Sequence, residues 1–101
     1  MPINCTEEGQ ALTAQVTGEV DHHAARALMT ELSRQVDTAL PRSLTLDFGG
    51  VTFMDSSGIA VVLRSWKKMR ELGGTMTLRA VPPQAKKVLD AAGVDKLITF
   101  T

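Results

Sequence analysis

Apolar residues in this chain repeat with two alternating periods, and that alternation restricts the fold more than any other feature. Leu12, Ala14 and Val16 are separated by polar neighbours, the period of a half-buried strand. Ile3 and Cys5 suit a short edge strand paired with it across the turn Glu7-Glu8-Gly9. Asp21 is a good helix cap. Behind it Ala25, Leu28, Leu32, Val36 and Ala39 recur at three- and four-residue steps, one apolar helix stripe that Pro41 ends. Residues 43–48 alternate again, Gly49-Gly50 breaks the alternation, and residues 51–54 form a short apolar continuation. Asp55-Ser56-Ser57-Gly58 then opens a helix with Ile59, Val62, Leu63, Trp66 and Met69 on one face, stopped by Gly73-Gly74. Residues 75–81 predict a strand, and Pro82-Pro83 opens a helix striped by Ala85, Val88, Leu89 and Ala92 and capped by Gly93. Residues 97–100 predict a final short strand.

The predicted order is β-β-α-β-α-β-α-β. Strands alternating with helices imply an α/β fold with a mixed, mostly parallel sheet. The tight turn after the first strand makes that strand antiparallel to the second. A length of 101 residues suits one domain, 1–101, with a core that needs no disulfide or metal. The chain has 11 basic and 11 acidic side chains, so no global field favours nucleic acid or a membrane surface. No apolar run approaches the roughly 18–20 residues of a membrane span, and the N-terminal residues lack the basic and apolar regions of a secretory signal. A single cysteine, Cys5, fits a reducing cytoplasm. The balance is uneven along the chain. Residues 1–58 carry three basic and eight acidic side chains, and residues 59–101 carry eight and three. This suits either two solvated faces or a dipole that orients a partner.

Three groups of residues have chemistry to offer. Asp21-His22-His23 holds the only two histidines. Adjacent helical positions diverge by about 100°, and with no third histidine the group reads as a cap followed by surface histidines, not as a metal site. Ser56 and Ser57 lack the nucleophile elbow and oxyanion loop that serine hydrolysis requires. The turn Asp55-Ser56-Ser57-Gly58 has two readings. One is a plain helix cap. The other is a phosphorylation switch, since free N–H groups at a helix mouth welcome an anion and a phosphate adds about −1.5 to −2 charge units.

Phe53-Met-Asp-Ser-Ser-Gly58, followed by Ile59-Ala-Val-Val-Leu63, resembles the signature of the bacterial anti-sigma factor antagonists, small domains of the STAS type. Residues 18–24, 73–76 and 88–98 resemble the family's other landmarks, so the likeness spans about residues 10–100. It is closest to the sporulation branch. The resemblance implies a regulatory binding domain, not an enzyme, with no cofactor. Its unphosphorylated form would bind an anti-sigma factor that is also a serine kinase, and so free a sigma factor. Phosphorylation would end that binding, and a serine phosphatase would reset it. Carried over by position, Ser56 is the phosphoacceptor and Ser57 the second serine. Asp21, Asp55 and Ile59 join the partner interface, and Gly58 lets the partner approach closely. Asp21 and Ser56 should share one exposed edge, because helix starts in a parallel sheet gather at the carboxyl ends of the strands.

Two departures accompany the resemblance. Family members usually continue past the last strand into a final helix. Here that helix is dispensable, or truncated, or its place is covered by a neighbouring chain. Pro82 also stands where the family often has a serine cap, a change confined to the start of the third helix. An alternative is the STAS-type accessory subunit of a lipid-transport ATPase complex, which typically alters the serine turn; the intact Asp-Ser-Ser-Gly favours the antagonist.

Overall fold

The structure, a computed structural model, describes residues 3–101. The elements are β1 (Ile3–Glu8), β2 (Ala11–Val20), α1 (His22–Ala39), β3 (Ser43–Met54), α2 (Ser57–Glu71), β4 (Thr75–Arg79), α3 (Pro83–Ala91), a 3-10 turn at Val94–Lys96, and β5 (Thr99–Phe100). One sheet holds the strands in chain order, β1-β2-β3-β4-β5. β1 is antiparallel to β2, and the other pairs are parallel. The predicted fold class and order both hold.

The register explains why the sheet has one buried and one open face. Ala14, Leu46 and Leu78 lie side by side across β2, β3 and β4, as do Leu12, Leu44 and Met76. All six are buried, and all join one core with Ala25, Leu28, Leu32 and Val36 of α1, Val61, Val62 and Met69 of α2, and Ala85 and Leu89 of α3. One residue further along, the side chains point the other way. There the register aligns Thr6, Thr13, Thr45, Thr77 and Thr99 in a row across all five strands. Gln15, Asp47 and Arg79 form a second polar row, in which Arg79 donates to Asp47 at 2.9 Å. The molecule is two layers thick, 19 Å in its shortest dimension.

Several local expectations need correction. The hairpin turn is Gly9-Gln10, because β1 runs to Glu8 opposite Ala11; Gly9 takes φ +59°, which a two-residue hairpin requires. Gly49-Gly50 does not break β3. The register steps from Gln15 opposite Asp47 to Thr17 opposite Gly50, and again from Gly18 opposite Val51 to Glu19 opposite Phe53. Each step inserts one extra residue into β3, a bulge. Two bulges return the inward phase, so Phe48, Val51 and Met54 are all buried at three-residue spacing. A side chain at Gly50 would meet Thr17 Cγ2 at 2.7 Å, so the glycine permits the first bulge. β4 stops at Arg79, where Ala80 turns to φ +56°. Leu97 and Ile98 belong to the turn before β5, since the Ile98 N–H donates to the Val94 carbonyl at 3.0 Å.

The buried face of α2 is rotated from the predicted one. Gly58, Val61, Val62, Ser65 and Met69 are buried, while Ile59, Leu63 and Trp66 only border the core. The helix turns this way because its other flank packs on α1. Ser65 tolerates that contact by donating its hydroxyl to the Val61 carbonyl at 2.9 Å. Lys68 reaches Ser33 and Asp37 of α1 at 3.2 and 2.6 Å.

Candidate functional site

β2 and β3 end together, with Val20 opposite Met54. The next residues, Asp21 and Asp55, therefore leave the sheet side by side, and the Asp55 N–H donates to the Val20 carbonyl at 3.2 Å. Both helix starts thus lie on one edge, at the carboxyl ends of parallel strands, where open α/β sheets place their binding sites. The expected placing of Asp21 and Ser56 on one edge is a property of this register.

Asp21 is the N-cap of α1. Its backbone is extended, and its Oδ1 accepts from the Ala24 N–H at 2.9 Å. Within the turn read from the sequence as a helix cap, Ser56 is not the residue that caps. Its backbone is already helical (φ −63°, ψ −17°), and its side chain makes no capping hydrogen bond. Asp55 does that work instead, its Oδ1 accepting from the Ser57 N–H at 2.8 Å. The helix opens with short-range bonds, Gly58 N–H to Asp55 O and Ile59 N–H to Ser56 O, both 3.1 Å. Ser56 is exposed, and Asp55, Ser57 and Ile59 are half-buried. The Ser56 hydroxyl is therefore at the surface, at a positive helix end, on the edge that also carries Asp21 and Asp55.

Gly58 is buried, and a Cβ there would come within 2.5 Å of Met54 Cγ and 2.6 Å of Met54 Sδ. The close approach that this glycine permits within the chain is to Met54.

Two residues of the edge escaped sequence reasoning. Phe53 is 43% exposed, because the second bulge takes it out of the inward phase; no periodicity signals this. Gln84, in the first turn of α3, reaches across to β3. Its Oε1 accepts from the Met54 N–H at 2.8 Å, and its Nε2 donates to the Met54 carbonyl at 2.7 Å. Outside the edge, the His22 and His23 rings stand 6.1 Å apart, edge to face, both exposed on α1. A groove of about 630 Å³ between α1 and α2, lined by Met29, Leu32, Val36, Arg64, Ser65 and Lys68 among others, includes none of the predicted site residues.

The family described as the STAS domain matches residues 2–101, and the chain belongs to it. Within that family, the chain is similar to the anti-sigma F factor antagonist of Paenibacillus polymyxa, at 29% identity over 87 residues, 86% of this chain and 74% of the relative. It is 33% identical over 82 residues to BtrV of Bordetella bronchiseptica, named as a candidate anti-sigma factor antagonist, covering 81% of this chain and 70% of the relative. Its fold is that of the anti-sigma factor antagonist SpoIIAA in its unphosphorylated form, with a TM-score of 0.84 at 22% identity, over 98% of this chain and 87% of the other. Among the described residues, no helix is long and apolar enough to cross a membrane.

Proposed function

We propose that this chain is an anti-sigma factor antagonist, a regulatory binding protein and not an enzyme, that works by partner switching in the cytoplasm. Its unphosphorylated form binds an anti-sigma factor serine kinase through the edge that carries Asp21, Asp55, Ser56, Ser57 and Ile59. Gly58 serves that edge from beneath, by letting α2 start close against Met54. Binding frees a sigma factor. The kinase then phosphorylates Ser56, and a serine phosphatase removes the phosphate.

The observation that carries this proposal is the state of Ser56. Its hydroxyl is exposed at a helix mouth and takes no part in capping, so a phosphate there breaks no intramolecular bond of the folded chain. The two carboxylates of this edge, Asp21 and Asp55, are already engaged by the Ala24 and Ser57 amides and cannot move away cheaply. A phosphate of about −1.5 to −2 charge units beside them changes the local field sharply while leaving the core untouched. Charge and bulk opposed across a fitted interface cost several kcal/mol.

The test is mass spectrometry after incubation with the cognate anti-sigma kinase and ATP. Phosphate mapped to Ser56 is the expected result; phosphate on Ser57 alone, or on neither, would falsify the assignment. Copurification with a transport ATPase in place of a small ATP-binding kinase would point to the lipid-transport alternative.

A further inference from the structure

The hydrogen bonds of Gln84 give this side chain a task that its place in the sequence does not announce. β3 is 12 residues long, but β4 accompanies it only from Ser43 to Asp47. On that side, β3 runs on toward Met54 without a strand neighbour among the described residues, and it is Met54 that leads directly into the Asp55-Ser56 turn. Gln84 fills the missing place. A side-chain amide carries an acceptor oxygen and, on the same side, an N–H donor, the pair of groups that one residue of an adjoining strand offers through its own carbonyl and N–H. Here the acceptor takes the Met54 N–H and the donor takes the Met54 carbonyl, as an adjoining strand would. Met54 is itself fully buried and packs under Gly58. The residue one step before the turn is therefore held by its side chain from below and by its backbone from α3.

We propose that Gln84 is a positioning residue for Ser56: it ties α3 to the end of β3 and fixes the pose in which the Ser56 hydroxyl is presented for phosphoryl transfer. This deepens the assignment of Ser56 as phosphoacceptor and rests on it. Gln84 touches no reacting atom. It acts through Met54 and the Asp55 carbonyl, which anchors the Gly58 N–H. Transfer to a hydroxyl depends steeply on its placement, and a displacement of about 1 Å can cost about 100-fold in rate. A positioning role therefore predicts a loss in kcat for phosphorylation, with KM for the antagonist little changed.

The experiment compares the full chain with its Gln84→Ala and Gln84→Glu variants by amide hydrogen exchange and by steady-state phosphorylation with the cognate kinase and ATP. In Gln84→Ala, protection of the Met54 amide should fall at least tenfold while the central amides of β2 and β3 keep theirs, and kcat should fall about tenfold or more at unchanged KM. Gln84→Glu keeps an acceptor for the Met54 N–H but, when ionised, has no donor for the carbonyl. It should lie between wild type and Gln84→Ala at neutral pH. Its Met54 protection factor should recover as the carboxyl protonates and regains a donor. Unchanged kcat in Gln84→Ala, or a change in KM alone, overturns the positioning role even where Ser56 is phosphorylated. Unchanged Met54 protection overturns the clamp itself, whatever the kinase does. A wild-type chain that takes no phosphate on Ser56 overturns the functional assignment and this proposal with it, while the exchange data still report on the clamp.

Discussion

Asp55 and Ser56 divide between them two tasks that a single capping serine would combine. Asp55 supplies the acceptor for the Ser57 N–H, and the Ser56 hydroxyl is left out of the capping. The two residues should therefore separate cleanly in a stability measurement. Asp55→Ala is expected to lower the unfolding free energy by about 0.5–2 kcal/mol, the usual cost of a lost cap. Ser56→Ala is expected to stay within about 0.5 kcal/mol of wild type and to remain bound to the kinase, releasing the sigma factor constitutively. Urea titrations of both variants check the first pair of values, and a binding assay checks the last. A folded Ser56→Ala that fails to bind would show that the hydroxyl contributes to the interface itself. At Gly58 two effects oppose each other. Alanine improves helix propensity by about 1 kcal/mol, but its methyl would press on Met54 at 2.5 Å, and overpacking typically costs about 1–3 kcal/mol. A net destabilisation is expected for Gly58→Ala, read as a lower denaturation midpoint.

Among the elements, β3 and the start of α1 set the geometry of the edge. The first bulge of β3 is held by Asp47, whose Oδ1 accepts from the Gly49 N–H at 2.9 Å and whose Oδ2 accepts from Arg79. The Gly49 amide, and after it Arg79, hold the Asp47 carboxyl below its ordinary range. A carboxylate with a folded pKa below its unfolded value, about 3.9, stabilises the fold fully above the unfolded value. That stabilisation is lost as pH falls through the folded one. Asp47→Asn should therefore be less stable than wild type near neutrality, and the gap should close on acidification below about pH 4. Denaturation midpoints measured from pH 7 down to pH 3 decide this; a gap that is constant with pH would remove Asp47 as the cause. At α1, Asp21 both caps the helix and lies on the proposed partner surface. Asparagine caps about as well as aspartate, so Asp21→Asn should keep the fold and weaken kinase binding. Calorimetric titration showing the same affinity as wild type would take Asp21 out of the interface.

Over the whole molecule, the proposed switch is a change of charge on a chain whose formal net charge is zero. Partner discrimination by phosphate should then be partly electrostatic. Screening shortens from about 10 Å at 0.1 M salt to about 3 Å at 1 M, so the ratio of kinase affinities between the unphosphorylated and phosphorylated forms should narrow as salt rises. A ratio independent of salt would assign the discrimination to bulk alone. Much of this molecule was legible in its sequence. The periods of two and between three and four separate strands from helices because backbone geometry dictates them. The fold class, the element order, the antiparallel first strand and the place of Asp21 and Ser56 on one edge all follow from that separation and from the way parallel strands align their helix starts. What the sequence left open depends on contacts between segments distant along the chain. The two bulges that carry β3 through Gly49-Gly50, and that expose Phe53, appear only in its register with β2. The rotation of α2 follows from packing on α1, and the true capping residue from the helical backbone that Ser56 adopts. Gln84 and Met54, 30 positions apart, meet only because α3 returns to the unpaired end of β3. Local periodicity determines which residues form each element; only tertiary packing decides which backbone groups are left without partners, and which distant side chains supply them.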